Sequence, residues 1–151
     1  MIEIKFDKEK TKNLFLVFKK DSILGNLSLS ELFDLLEISK IIQYEQGEYI
    51  ITQNHNDTNL YILISGSMEI IHNGKQIKTI GQVGEIIGEM SLISNNPRSA
   101  SVRALDKVEC LSIDASYLER PEIGLKNILY YIFCQVLARR LRIINSELSR
   151  C

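Results

Sequence analysis

Apolar positions change rhythm twice along the chain, and the two changes divide it into three parts. Residues 1–27 mix lysines with the run Leu14-Phe15-Leu16-Val17-Phe18, which predicts one helical segment and a short turn near Gly25. Ser28-Leu29-Ser30-Glu31 then has the form of a capping box, in which the Ser28 hydroxyl accepts from the Glu31 amide and the Glu31 carboxylate reaches back. Leu32, Phe33, Leu35, Leu36 and Ile38 carry that helix over about 29–39.

From Ile41 to Ile113 the pattern becomes short runs of Ile, Val, Leu and Tyr broken at close intervals by Gly, Asn, Asp or Pro. That is the pattern of an antiparallel sandwich or jelly roll. Thr58 to Ser65 and Met68 to His72 are expected to pair around Ser65-Gly66-Ser67, and a tighter hairpin is expected about Asn73-Gly74. Residues 88–99 break the strand rhythm with what reads as a helical turn, and in a barrel filled by side chains such an interruption is where a ligand enters.

After Asp114, a suitable N-cap for a brief helix, Pro121 can open a long helix running to about Arg150, roughly 40 Å at about 1.5 Å per residue. It carries two apolar stripes: Cys134, Leu137, Leu141, Ile144 and Leu148 on one side, and Leu129, Ile132, Val136 and Ile143 on another. Two apolar faces need two partners. Either both pack on this chain's own barrel and N-terminal helices, or one pairs two copies along the helix. The chain therefore divides into an N-terminal helical part over 1–39, a β core over 40–114, and C-terminal helices over 115–151 that act as lid or dimerisation element. The expected fold class is mainly β with flanking helices: an antiparallel jelly roll, or double-stranded β-helix, with N-terminal helices, a short helix in the 88–100 segment and a long C-terminal helix.

At 151 residues, a single domain buries roughly two thirds of its unfolded surface. A net charge of −1 supplies no broad attraction for DNA or an anionic membrane. No segment has the form of a signal peptide, and no apolar run is long enough to span a bilayer, so a soluble, cytoplasmic protein is expected. Cys110, Cys134 and Cys151 form no CxxC pair; Cys110 and Cys134 are expected to be packed thiols.

The candidate chemistry lies in Gly88-Glu89-Met90-Ser91, followed by Pro97-Arg98-Ser99-Ala100. Glycine lets a ligand approach the backbone, and a helix opening there points unpaired amides at an anion. Glu89 accepts from a hydroxyl, while Arg98 offers a planar fork of donors to phosphate oxygens. A carboxylate beside a phosphate repels it unless the two residues hold different parts of one ligand, and a ribose phosphate has both parts. Gly-Glu occurs three times, at 47, 84 and 88, but only the last precedes an Arg-Ser-Ala at short range.

These residues resemble the phosphate-binding cassette of the cyclic nucleotide-binding domain family, whose members include domains of the protein kinase A regulatory subunit and the bacterial catabolite activator protein. The resemblance extends over roughly residues 40–114 through Gly47-Glu48-Tyr49-Ile50, Asp57, Leu60-Tyr61-Ile62, Ser65-Gly66, and turn glycines at 81 and 84. It departs from the commonest pattern at Asn54, where glycine is frequent, and at Ile87, where an aromatic is frequent. The resemblance implies that Glu89 takes the ribose 2′-hydroxyl and Arg98 the cyclic phosphate. Gly88 and Ser91 then offer amides, Ser99 an amide and a hydroxyl, and Met90 and Ala100 complete the ligand-binding set. Ser99 is compatible with cAMP or cGMP; a threonine there would lean towards cGMP, so cAMP is favoured. In the family, base contacts come largely from the C-terminal helix or a partner subunit, and the resemblance makes Arg140, Asn145 and Ser146 the candidates here. The plain alternative is that Arg139, Arg140 and Arg142 form a solvated face and a favourable charge at a helix C-terminus.

No catalytic or metal centre is expected. His55 and His72 are too few for a metal-binding cupin, the enzyme class sharing this architecture, and there is no Gly-x-Ser-x-Gly elbow or cysteine cluster. No cofactor is implied besides the nucleotide ligand. Since the sequence given stops at Cys151 with no helix-turn-helix, direct DNA binding is not expected. The reading is a stand-alone regulatory sensor for cAMP or cGMP that signals through its C-terminal helix to itself, as a homodimer, or to a protein partner. The alternatives are an interaction module that keeps only the fold, and the sensor fragment of a larger transcription regulator.

Overall fold

The computed structural model describes residues 1–21, 23–90, 96–114 and 123–149. Strand β1 (Ile2–Ile4) leads into α1 (Lys8–Phe18), whose first turn is capped by the Asp7 carboxylate accepting from the Lys10 amide at 2.7 Å. A 3₁₀ turn (Leu24–Asn26) follows, then α2 (Leu29–Glu37). The capping box forms with both reciprocal bonds, Glu31 N to Ser28 Oγ at 3.1 Å and Ser28 N to Glu31 Oε1 at 2.9 Å. Helix α2 ends two residues earlier than the apolar pattern suggests, because Ser39 already belongs to β2 (Ser39–Tyr44).

The remaining strands are β3 (Tyr49–Ile51), β4 (Asn59–Ser65), β5 (Met68–His72), β6 (Lys75–Ile80), β7 (Ile86–Ile87), β8 (Ser101–Ala104) and β9 (Val108–Asp114). They form two antiparallel sheets, β1-β2-β9-β4-β7 and β3-β8-β5-β6, the expected jelly roll. The period-two alternation of strand side chains assigns the core. Tyr61, Leu63, Val108 and Cys110 point between the sheets, where they meet Met68, Ile80, Val102 and Ala104 from the opposite layer. Leu60, Ile62, Leu111 and Ile113 point the other way and pack under Phe18, Leu24, Leu32 and Leu35 of the N-terminal helices. Strand β4 is thus buried on both faces, which explains its unbroken apolar run.

One pairing differs from the sequence expectation. β4 and β5 do not form a hairpin: β4 pairs with β9 and β7, and β5 with β6 and β8. The Ser65-Gly66-Ser67 connection turns a corner between sheets, with Gly66 at φ +90° against the Lys107 carbonyl and Asp106 accepting from the Ser67 amide at 2.8 Å. The Asn73-Gly74 hairpin forms as expected, both residues having positive φ (51° and 79°) in a two-residue turn between β5 and β6.

Helix α3 (Ile123–Leu148) closes the fold. Ile128, Leu129, Ile132, Phe133 and Val136 are buried against the body. The other stripe is not covered: Leu137, Leu141, Ile144 and Leu148 are exposed, and so are Cys134 and Ile143, against the expectation that Cys134 is a packed thiol. Residues 141–149 are exposed on every side, so α3 is attached through its first half and projects with its second. Cys110 is buried, and burial pushes its thiol up to about 12. Among the described residues, no helix is long and apolar enough to cross a membrane.

Candidate functional site

The candidate site forms where β7 runs into residues 88–90 and where residues 98–100 enter β8. Gly88 sits at φ +94°, a conformation that side-chain-bearing residues rarely adopt, and a Cβ there would fall 2.7 Å from Arg98 Nη1 and 3.0 Å from the Asn59 carbonyl oxygen. Glycine is required twice over, for the turn and for the approach of the guanidinium. Glu89 and Met90 follow with helical backbone.

Arg98 is only 2% exposed and its fork is fully directed. Nε donates to Asp57 Oδ2 at 3.0 Å, Nη2 to Asp57 Oδ1 and the Asn59 carbonyl, and Nη1 to the Gly88 carbonyl at 2.7 Å. Its backbone is fixed as well, the amide donating to His55 O at 2.9 Å and the carbonyl accepting from Asn54 N at 2.8 Å. A bidentate arginine–carboxylate pair supplemented by carbonyl acceptors is a strong, geometrically specific arrangement. It holds the guanidinium against the wall of a cavity rather than leaving it to swing.

Glu89, 1% exposed, is the opposite charge in the same cavity. Its Oε1 accepts from Arg140 Nη1, an arginine delivered by α3, which also donates from Nη2 to the Ile86 carbonyl at 3.1 Å. Glu89 Oε2 is buried and has no hydrogen-bond partner among the described residues. Burial raises the Glu89 carboxyl above its ordinary value, with Arg140, its own backbone amide and then Arg98 opposing the shift. An unsatisfied buried carboxylate oxygen is costly, so this atom is poised to accept a hydrogen bond.

The cavity holds about 120 Å³ and has two kinds of wall. Gly88, Glu89, Arg98, Ser99 and Arg140 form the polar side; Ile51, Ile70, Ile87 and Val102, with Met90 and Ala100, form the apolar side. The structure therefore brings Gly88, Glu89, Met90, Arg98, Ser99, Ala100 and Arg140 together. Ser91 lies outside the described residues. Asn145 and Ser146 sit on the projecting half of α3, exposed and apart from the residues lining this cavity.

Two contributors had no role in the sequence reading. Asp57 holds the arginine fork, and its own Oδ1 also accepts from the Asn59 amide at 3.2 Å, a local turn that presents the Asn59 carbonyl. The signal for it is an Asp-x-Asn whose asparagine opens a strand. The apolar wall from β3, β5 and β8 was visible only as strand residues, because nothing in a single strand marks which sheet face borders a cavity.

The profile described as "Cyclic nucleotide-binding domain" matches residues 41–120. The cGMP-dependent protein kinase of Plasmodium berghei is 35% identical over 101 residues, covering 66% of this chain and 12% of its own length. The cAMP-dependent protein kinase regulatory subunit of Debaryomyces hansenii is 31% identical over 116 residues, covering 74% of this chain and 26% of its own length. The chain thus spans about a quarter or less of these curated relatives. Among solved structures, a cyclic nucleotide-binding domain from Methylobacillus flagellatus shares the fold with TM-score 0.79 at 21% identity, over 99% of this chain and 89% of that one. The Thermus thermophilus catabolite activator protein aligns with TM-score 0.69 at 28% identity, over 85% and 62%.

Proposed function

The chain belongs to the cyclic nucleotide-binding domain family, and from that premise we propose that it is a regulatory sensor, cAMP favoured over cGMP, whose signal leaves through α3. The observation that carries this reading is the buried pair of opposite charges in one cavity: a fixed guanidinium, and a carboxylate with one oxygen unpartnered among the described residues. A cyclic nucleotide supplies an anionic phosphate for Arg98 and, on the adjoining ribose, a hydroxyl that donates to Glu89. Each protein charge meets its complement, and the phosphate and carboxylate are separated by the sugar. Gly88 leaves room at the phosphate, and the apolar wall of Ile51, Ile70 and Val102 gives the base a surface for burial without demanding hydrogen bonds. In this reading the domain is regulatory and not catalytic.

Glu89 also accepts from Arg140, so ligand and helix meet on one carboxylate. A ribose hydroxyl arriving at Glu89 alters the contact that ties α3 to the cavity, and a ligand that favours one placement of α3 shifts the population of that placement. The output surface is the exposed stripe Tyr130, Cys134, Leu137, Leu141, Ile144 and Leu148, spaced alternately four and three residues apart. That spacing is a coiled-coil seam, and a homodimer along it is the proposed assembly. The preference for cAMP rests on Ser99 standing where a threonine would lean towards cGMP.

A second reading is favoured by one feature. Arg98 is already engaged by Asp57 and Glu89 by Arg140, so an interaction module that keeps the fold without a ligand would need no further charge compensation. The unpartnered Oε2 argues for a ligand. Calorimetric titration of unfolded and refolded protein with cAMP, cGMP and 2′-deoxy-cAMP tests the choice. Binding of cAMP, tighter than of cGMP and weaker for the deoxy analogue, supports the sensor; no heat with any of them leaves the ligand-free module, and equal affinity for the deoxy analogue removes Glu89 from ribose recognition.

A further inference from the structure

The cassette segment 98–101 is held from two sides. On one side the loop after β3 grips it through its backbone: Asn54 N donates to Arg98 O and Arg98 N to His55 O, and Gln53 N donates to Ser101 Oγ at 2.8 Å. On the other side lies the β5–β6 hairpin: Ile71 of β5 pairs with Ser101, and at the hairpin tip His72 Nδ1 lies 2.9 Å from the Ser99 carbonyl oxygen. We propose that His72 is a positioning residue for the cassette, held as the neutral Nδ1–H tautomer by a one-directional chain of hydrogen bonds running from the Asn73 amide to the Ser99 carbonyl.

The direction of the chain follows from its ends. It begins at the Asn73 backbone N–H, which can only donate and lies 3.0 Å from Gln53 Oε1. That fixes the Gln53 amide, whose Nε2 then donates to Asn73 Oδ1 at 2.7 Å. With its oxygen used, Asn73 presents Nδ2 to His72 Nε2 at 3.2 Å, so that ring nitrogen must accept. The proton therefore sits on Nδ1 and is donated to the Ser99 carbonyl, which can only accept. Asn73 can take this place because the turn holds it at φ 51°. Two backbone groups pin the chain, so reversing either side-chain amide breaks a bond at one end.

The consequence lies in the cavity. A trans peptide points its N–H opposite to its C=O, so tying Ser99 O to His72 fixes the direction of the Ala100 N–H, and both residues line the site. A proton on Nε2 faces the Asn73 amide hydrogens and breaks the chain. The titratable and charged groups on the elements around His72 are Lys75 opposite it and Lys78 on β6, His55 and Asp57 on the loop after β3, Arg98 on the cassette, and Glu69 and Arg103 on β5 and β8. Asp57 and Arg98 pair with each other, as do Glu69 and Arg103.

The inference rests on the nucleotide reading for its binding consequence, and nitrogen-15 NMR of the imidazole reads the tautomer without any ligand. The expected result near pH 8 is the Nδ1–H form, shifting towards a mixture in Gln53→Ala; an Nε2–H ring in the unmodified protein overturns the inference. In cAMP titrations, His72→Ala should bind about 3- to 10-fold more weakly, the worth of one hydrogen bond. His72→Asn, which still offers a donor to Ser99, should recover to within about 2-fold. His72→Ala binding as well as the unmodified protein overturns the positioning role while leaving the sensor intact. No nucleotide binding in a protein with the Nδ1–H ring overturns the sensor instead.

Discussion

Burial of a guanidinium and a carboxylate beside the same cavity sets the chemistry at the scale of single residues. Asp57 makes the Arg98 fork rigid, and Asp57→Asn leaves a buried cation with a weaker acceptor. Because the Asp57 side chain is 31% exposed, the loss is discounted to about 1–3 kcal/mol, to be read as a lowered midpoint of thermal or urea unfolding. Glu89 links stability to pH. Its folded value lies above the unfolded one, so the stability it contributes is full below the ordinary carboxyl value of 4.5 and is lost as pH rises through the raised folded value. The unmodified protein should therefore lose stability relative to Glu89→Gln as pH rises from about 4.5, measured by parallel unfolding curves; a difference that grows on acidification would contradict the burial argument. Gly88→Ala should destabilise by about 1–3 kcal/mol, through positive φ and contact with Arg98 Nη1. Glu89 and Arg98 were legible as a candidate pair because the Gly-Glu and Arg-Ser-Ala spacing stands apart from the other two Gly-Glu dipeptides. Asp57 was not assigned a role, since its partner is 41 residues away and a lone aspartate before a strand reads equally as a turn former.

Elements whose signals are local came through in the sequence, and those whose partners are distant did not. The Ser28–Glu31 box and the Asn73-Gly74 turn are each complete within four residues, and both form. Strand β1 was read as part of a helical segment because Ile2-Glu3-Ile4 is too short to declare itself and its partner is Ile41–Gln43. The false β4–β5 hairpin has the same origin: a glycine turn between two apolar runs signals reversal, but not whether the chain stays in its sheet. Helix α3 carried two stripes of similar apolarity, and only packing decides which is covered. Two adjacent arginines mark the end of the attached half: Arg139 lies 3.6 Å from Glu85 and 4.0 Å from Asp21, and Arg140 reaches Glu89. Beyond them the exposed seam invites a direct test. Leu141→Asp and Leu148→Asp, at residues 58% and 65% exposed, should leave the unfolding midpoint within about 0.5 kcal/mol of the parent while shifting a dimer to monomer in sedimentation analysis. An unmodified protein that sediments as a monomer with and without cAMP would remove the seam from the account.

Taken whole, the molecule is a two-sheet sandwich whose inner face supplies one wall of a cavity and whose helices cover the outer face of the five-stranded sheet. The cavity sits where the strand pattern breaks, and the long helix reaches it through Arg140, which pairs with the buried Glu89 carboxylate and donates to the Ile86 carbonyl. In the proposed function, that contact is where ligand chemistry would meet helix placement. The most direct measurement is calorimetric binding of cAMP to the refolded protein and to Arg98→Ala, with thermal unfolding to show that the variant is folded and Arg98→Lys as the variant that keeps the charge without the fork. The account predicts binding in the unmodified protein and a loss of at least about 25-fold in Arg98→Ala, the effect of removing a buried charge-assisted contact of about 2–5 kcal/mol. A folded Arg98→Ala protein that binds cAMP as tightly as its parent would contradict it.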